Sequence, residues 1–129
     1  NGTSSAEEIF NESMCYIHNE TEILKEKGKK QDGHYTDKKY VKMATHTAYV
    51  GMLEALRHLI NVPQNKRMDI VICRNFLAGE NKKMLNELNT AYTVLHLYGG
   101  YDGVGRMTIL QEGFNSATKI INWVKNRLS

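Results

Sequence analysis

The stretch Thr36–Asn61, TDKKYVKMATHTAYVGMLEALRHLIN, decides the fold class. Val41, Ala44, Ala48, Gly51/Met52, Ala55 and Leu59 recur at steps of three and four, the period of a helix that buries one face. Ala44, Ala48, Gly51 and Ala55 are all small, so a neighbouring helix can approach closely. This helix is therefore expected at the centre of the packing. Thr36 or Asp37 serves as its N-cap, and Asn61-Val62-Pro63 stops it.

The same periodicity extends outward on both sides. Upstream, a helix is expected from Ser5 to Lys27, where Phe10, Met14, Ile17, Thr21 and Leu24 form the stripe. Ser5 and Glu8 have the capping-box spacing, and Gly28 is read as the terminator. Residues 28–36, GKKQDGHYT, form a polar connector. Downstream, residues 67–79 suit a short helix that Gly79 ends or kinks; the IVIC run at 70–73 also fits a strand, but no partner strand is evident. A third long helix spans Asn81–Tyr98 on Met84, Leu88, Ala91, Leu95 and Tyr98, and the glycine loop 99–103 breaks it. The last runs from near Arg106 to Leu128 on Leu110, Phe114, Ala117, Ile121, Val124 and Leu128. The expected fold is all-α: an antiparallel up-and-down four-helix bundle with an extra short helix at about 67–79.

Composition agrees with that reading. The 129 residues are 41% hydrophobic and 24% charged with a single proline, which suits one helical domain over residues 1–129 rather than a disordered or turn-rich β chain. Residues 1–4 are expected to be a disordered or trimmed N-terminus. No apolar run reaches the ~20 residues of a membrane span, and no signal-peptide pattern is read. Cys15 and Cys73 form no CxxC or Cys/His zinc pattern, so both are read as buried free thiols of a cytoplasmic protein. Sequons at Asn1, Asn11 and Asn19 are read as chance matches.

Antiparallel topology would gather one set of polar residues at one pole. The end of the first long helix, the start of the second, the end of the third and the start of the fourth should meet there. At a rise of ~1.5 Å per residue, Tyr40, His46, Tyr92 and His96 lie at matched depths beneath the Tyr101-Asp102 loop, with Arg106 at the start of the last helix. Histidine titrates near neutrality and tyrosine can donate a proton or stack, so these seven residues are the candidate site for a small anionic or nucleotide-like ligand. The competing reading is a buried hydrogen-bond network that orders this pole. Tyr49 and Tyr98 are read as core or rim. The segment Lys25–Lys42 holds seven lysines and three acids, +4 against +3 for the whole chain, and reads as a solvated face or a rim for anions. There is no HExxH, ExxH or GxSxG motif and no histidine pair at i,i+4, so no metal, cofactor or catalytic residue is assigned. The glycine loop has neither a preceding strand nor a Gly-Lys-Ser/Thr, which excludes the phosphate-binding fingerprints.

The segments DKKYVKMATHTAY (37–49), KKMLNELNTAYTVLHLYGGYDG (82–103) and EGFNSATKIINWV (112–124) resemble the signature stretches of a bacterial domain-of-unknown-function family of small helical proteins. The resemblance covers most of residues 6–125 and implies no activity. At fold level the chain is similar to HEPN-type bundles, some of which bind nucleotides beside a nucleotidyltransferase while others are toxin ribonucleases. The ribonuclease members carry an Arg-x4–6-His motif. Here Arg57 and His58 are adjacent and no arginine precedes a histidine at that spacing, which argues against nuclease activity. The function expected is a non-enzymatic helical interaction or ligand-binding domain, self-associating as a homodimer through apolar residues of 67–79 or the last helix. A HEPN-like nucleotide- or anion-binding module, or a degenerate enzyme, is the alternative; nucleic acid and membrane are not expected partners.

Overall fold

In the computed structural model, which describes residues 5–129, Ser5 opens the first helix, α1 (Ala6–Lys27), and its hydroxyl accepts the Glu8 N–H at 3.1 Å. The expectation for residues 1–4 and the Asn1 sequon lie outside the described residues. The buried face of α1 is Ile9, Ser13, Ile17 and Leu24, one position round from the expected stripe at its start, so Phe10 and Met14 are only half-buried.

Helix α2 (Lys38–Ile60) is capped at Asp37, whose carboxylate accepts the Lys39 N–H at 3.2 Å. It ends on Asn61 in the left-handed conformation, φ 63°, which asparagine tolerates better than most residues. Its small face is fully buried, and α2 packs against α1, α3 (Ile70–Glu80), α5 (Met107–Leu128) and the segment that follows α4 (Lys82–Ala91). The central position expected from its alanines and glycine is observed. Fully buried Met52 and Leu56 flank that face, each side chain contributing roughly 2 kcal/mol by leaving water.

Helix α3 (Ile70–Glu80) begins after Asp69, which caps the Ile72 N–H at 2.9 Å, and Gly79 lies within it rather than ending it. Asn81 serves two helices. Its N–H closes α3 on the Leu77 carbonyl at 2.8 Å, and its side chain caps α4 (Lys82–Ala91) at the Met84 N–H, 3.1 Å. Helix α5 buries Leu110, Phe114, Ala117, Ile121 and Val124 as expected, with Ile120 widening the face. It packs against α1, α2 and α4 around one contiguous apolar cluster. The structure is all-α apart from one small hairpin, and among the described residues no helix is long and apolar enough to cross a membrane.

Two elements depart from the sequence reading. First, the connector 28–36 contains an antiparallel hairpin, β1 (Lys30–Gln31) with β2 (His34–Tyr35). Asp32 (φ 49°) and Gly33 (φ 78°) form the turn, and two positive φ angles in an Asp-Gly pair suit a two-residue hairpin. The register pairs Lys30 with Tyr35 and Gln31 with His34. The hairpin is pinned to the start of α5: the Tyr35 N–H donates to the Gly105 carbonyl at 2.7 Å and the Met107 N–H to the Gly33 carbonyl at 2.9 Å.

Second, the third long helix does not break at Gly99. Beyond Ala91 it widens into a π-helical segment, Tyr92–Tyr101, which passes through Gly99 and Gly100. Runs of this width are rare and concentrate at functional sites. Gly99 allows the segment to press against α2: a Cβ there would lie 2.6 Å from Thr45 Cγ2.

Candidate functional site

On α2, His46, Tyr49, Val50, Leu53, Glu54 and Arg57 follow one another at alternating steps of three and one, and so share one side of the helix. That side faces a groove of about 530 Å³, a volume typical of small-molecule sites. Tyr92 and His96 of the π-helical segment form the opposite wall, and Arg67, Met68, Asp69 and Ile70, leading into α3, close one end.

The walls meet as an aromatic group. The His96 ring stacks on Tyr49 with centroids 4.9 Å apart and planes at 25°. Tyr92 is tilted against both, 5.2 Å from His96 and 6.1 Å from Tyr49. The Arg74 guanidinium of α3 sits 4.7 Å over the Tyr92 ring, held by its Nε–H donating to Asn89 Oδ1 at 2.9 Å. His96 Nδ1 is buried and makes no hydrogen bond with the described residues. Burial, and then the charge of nearby His46, hold the His96 pKa below the ordinary imidazole value. Burial raises the Tyr49 hydroxyl and pushes the Cys73 thiol up to about 12, so both stay protonated near neutrality. Among the described residues no three histidine, cysteine or acidic side chains gather as a metal site.

The end closed by residues 67–70 is organised by Arg57. Its Nη1 donates to the carbonyls of Pro63 and Lys66, both at 2.7 Å, and its Nε to Glu54 at 3.1 Å, with the side chain only 7% exposed. One guanidinium thus anchors the turn after α2 and positions Arg67–Ile70. Arg67 is exposed on the groove and makes no ion pair among the described residues.

A family model for a domain of unknown function, DUF5618, matches residues 8–126. The chain belongs to the DUF5618 family. A solved structure described as a protein of unknown function from Dyadobacter fermentans is similar at 44% identity. It covers 98% of this chain and 100% of its own, with a TM-score of 0.90. No curated protein matches the chain.

In this DUF5618 domain the seven residues singled out from sequence do not converge together. His46, Tyr92 and His96 do, on the groove. Tyr40 lies outside it, in an open depression beside Lys27, Lys29 and Lys39, with Lys39 Nζ 5.5 Å from its ring centroid. Tyr101 is 76% exposed, Asp102 is exposed, and Arg106 is exposed beside His34, the two backbones forming a β-bridge. The π-helical continuation is the reason: a helix that carries on through Gly99–Gly100 leaves no loop to fold over the histidines. The seven lysines from Lys25 to Lys42 are all exposed, at the hairpin pole rather than on the groove.

Tyr49, read from sequence as core or rim, is buried and lines the groove, while Arg57 and the 67–70 strip carry no site signal in the sequence. Tyr49 was findable, three residues after His46 and on the same helix side. The Arg57 contacts were not, because they depend on the path of the Pro63 turn. Cys73 is buried as expected, whereas Cys15 is exposed; it lies two residues from both Ser13 and Ile17, on the opposite side of α1 from that buried line.

The lowered His96 pKa has a pH consequence. The unfolded chain binds a proton at the ordinary imidazole value, 6.5, before the folded one does. The contribution is therefore fully present above that value and is lost as pH falls through it toward the lowered pKa. Replacing His96 with Phe is expected to flatten the fall in urea-unfolding stability between neutral and mildly acidic pH. Equal slopes in the two proteins would show that other groups carry it.

Proposed function

We propose that this domain is a non-enzymatic ligand-binding module whose site is the groove between α2 and the π-helical segment. One observation carries the reading: His96 lines a groove of about 530 Å³ with a buried Nδ1 that no described residue satisfies, while its ring is fixed by stacking on Tyr49. A buried polar nitrogen left unpaired costs about 1–3 kcal/mol, and a bound hydrogen-bonding group would offset that cost.

The scaffold we propose for it is an antiparallel up-and-down four-helix bundle, a single domain with α3 as the extra helix. Contacts of α1 with α2 and α5, of α4 with α5, and of the π-helical segment with α2 support that arrangement. Free thiols fit a reducing, cytoplasmic setting. Apolar Val71, 58% exposed on α3, is the proposed centre of a homodimer contact, and a monomer in sedimentation at high concentration would exclude it.

His46 separates a site from a structural network because it is exposed on the groove. His46→Phe is expected to keep its thermal midpoint while losing the stabilisation that a small-molecule library confers on the parent protein. A large drop in the ligand-free midpoint would make the histidines a structural network instead. The alternative, a HEPN-like nucleotide- or anion-binding module, draws support from Arg67 on the groove. Nucleotides therefore belong in the same library.

A further inference from the structure

We infer that the groove takes a small aromatic monocarboxylate, with its ring among the aromatic and aliphatic walls and its carboxylate at Arg67. This rests on the groove being a binding site. It deepens that reading by fixing the ligand's charge, its shape and its orientation.

The charged end has four ionisable side chains, and three of them are committed. Arg57 donates to two backbone carbonyls and to Glu54, so neither it nor Glu54 is free to recognise a ligand. The Asp69 carboxylate caps α3 by accepting the Ile72 N–H at 2.9 Å. Arg67 remains, exposed on the same groove and in no ion pair among the described residues. A guanidinium offers two parallel N–H donors that match a carboxylate. The single uncommitted cation, with Asp69 close in sequence, favours one negative charge over the two of a phosphate monoester.

Between that end and the histidines the walls are Val50, Leu53, Met68 and Ile70, followed by Tyr49 and Tyr92. A flat ring fits such a slot, gaining apolar burial along the aliphatic side and stacking or edge contact at the tyrosines. At the far end the exposed His46 imidazole, on the same groove, offers its ring nitrogens to a polar substituent of the ring. The groove thus has a cationic end, an apolar middle and a hydrogen-bonding end, which orients an amphipathic planar acid in one direction.

Indole-3-acetate, its neutral amide indole-3-acetamide, and adenosine monophosphate test this by titration calorimetry, with proton–nitrogen NMR shifts locating the site. The acid is expected to bind at least tenfold more tightly than the amide, and to shift the His46, Tyr92 and Arg67 signals. Arg67→Met, on an exposed position, should leave the circular-dichroism spectrum unchanged and bring acid and amide to equal affinity. Acid and amide binding equally to the parent protein would overturn the carboxylate assignment while leaving the groove as a site. Adenosine monophosphate binding more tightly than the acid would overturn it in favour of a nucleotide. If all three compounds at millimolar concentration leave the groove signals unmoved, the carboxylate assignment falls. If the library also fails to stabilise the parent protein, the groove reading falls with it.

Discussion

Arg57→Ala is expected to lower the unfolding free energy by about 3 kcal/mol, which for a chain of this size is a fall of roughly 10 °C in the melting midpoint. The guanidinium makes charge-assisted bonds to the Pro63 and Lys66 carbonyls at 2.7 Å and to Glu54 at 3.1 Å. Alanine removes all of them and leaves a void beneath the turn. Glu54 is 38% exposed and can rehydrate, so its share of the loss is small; the two carbonyls and the vacated space account for most of it. Arg57→Lys should recover only part, since one ammonium cannot span both carbonyls and the carboxylate at once. Urea denaturation measures the difference. A change below about 1 kcal/mol would mean that Val62 and Met68, packed in the core beside the turn, hold it without the arginine. Because the same side chain positions residues 67–70, ligand binding in the groove should weaken along with stability.

The second large effect belongs to Gly99. In an ordinary helix interior, alanine in place of glycine stabilises by up to ~1 kcal/mol. Here the sign reverses, because the added Cβ would lie 2.6 Å from Thr45 Cγ2, 2.8 Å from its Oγ1 and 2.9 Å from its Cβ. Thr45 cannot swing aside. It is fully buried, β-branched, and its hydroxyl donates to the Val41 carbonyl at 2.7 Å. The π-helical segment must therefore retreat from α2, at an overpacking cost of about 2–3 kcal/mol. Thr45→Ala in the same chain removes two of the three colliding atoms. The double variant should be more stable than Gly99→Ala alone, with a coupling above ~1 kcal/mol in a double-mutant cycle. Additive effects would mean that the two helices already stand further apart than this contact implies. The stacking of His96 on Tyr49 depends on the same approach, so Gly99→Ala should also lower affinity in the groove.

Much of the fold is legible in local sequence, and particular residues show why. Ser5 and Asp37 cap where the sequence places caps, and Asn81 caps where it places a helix start, because their short oxygens reach N–H groups two or three residues on. The α5 stripe from Leu110 to Val124 and the small face of α2 are periodic over several turns, and both are buried. The Asp32-Gly33 hairpin was legible in principle, since an Asp-Gly pair is a strong hairpin signal. Its flanking strands are only two residues each, too short to show alternation. The site was half legible. His46, Tyr92 and His96 meet, but the end of the helix carrying the last two could not be read from Gly99-Gly100, which looks like a break.

The sequence by itself determined that this chain makes amphipathic helices, that α2 carries the closest contacts, and that histidines and tyrosines from two helices lie at comparable depth. These are matters of period and capping, decided by residues three or four apart. Tertiary structure alone decided the rest. Packing against Thr45 leaves room only for a glycine at position 99, and there the helix passes through as a wide turn instead of ending in a loop. That rotates Tyr101 and Asp102 out to solvent and leaves His96 facing Tyr49. The Pro63 end, featureless in sequence, became the charged end of the groove because Arg57 reaches carbonyls six and nine residues away. Contacts of that kind depend on the path of the backbone, which no local pattern encodes.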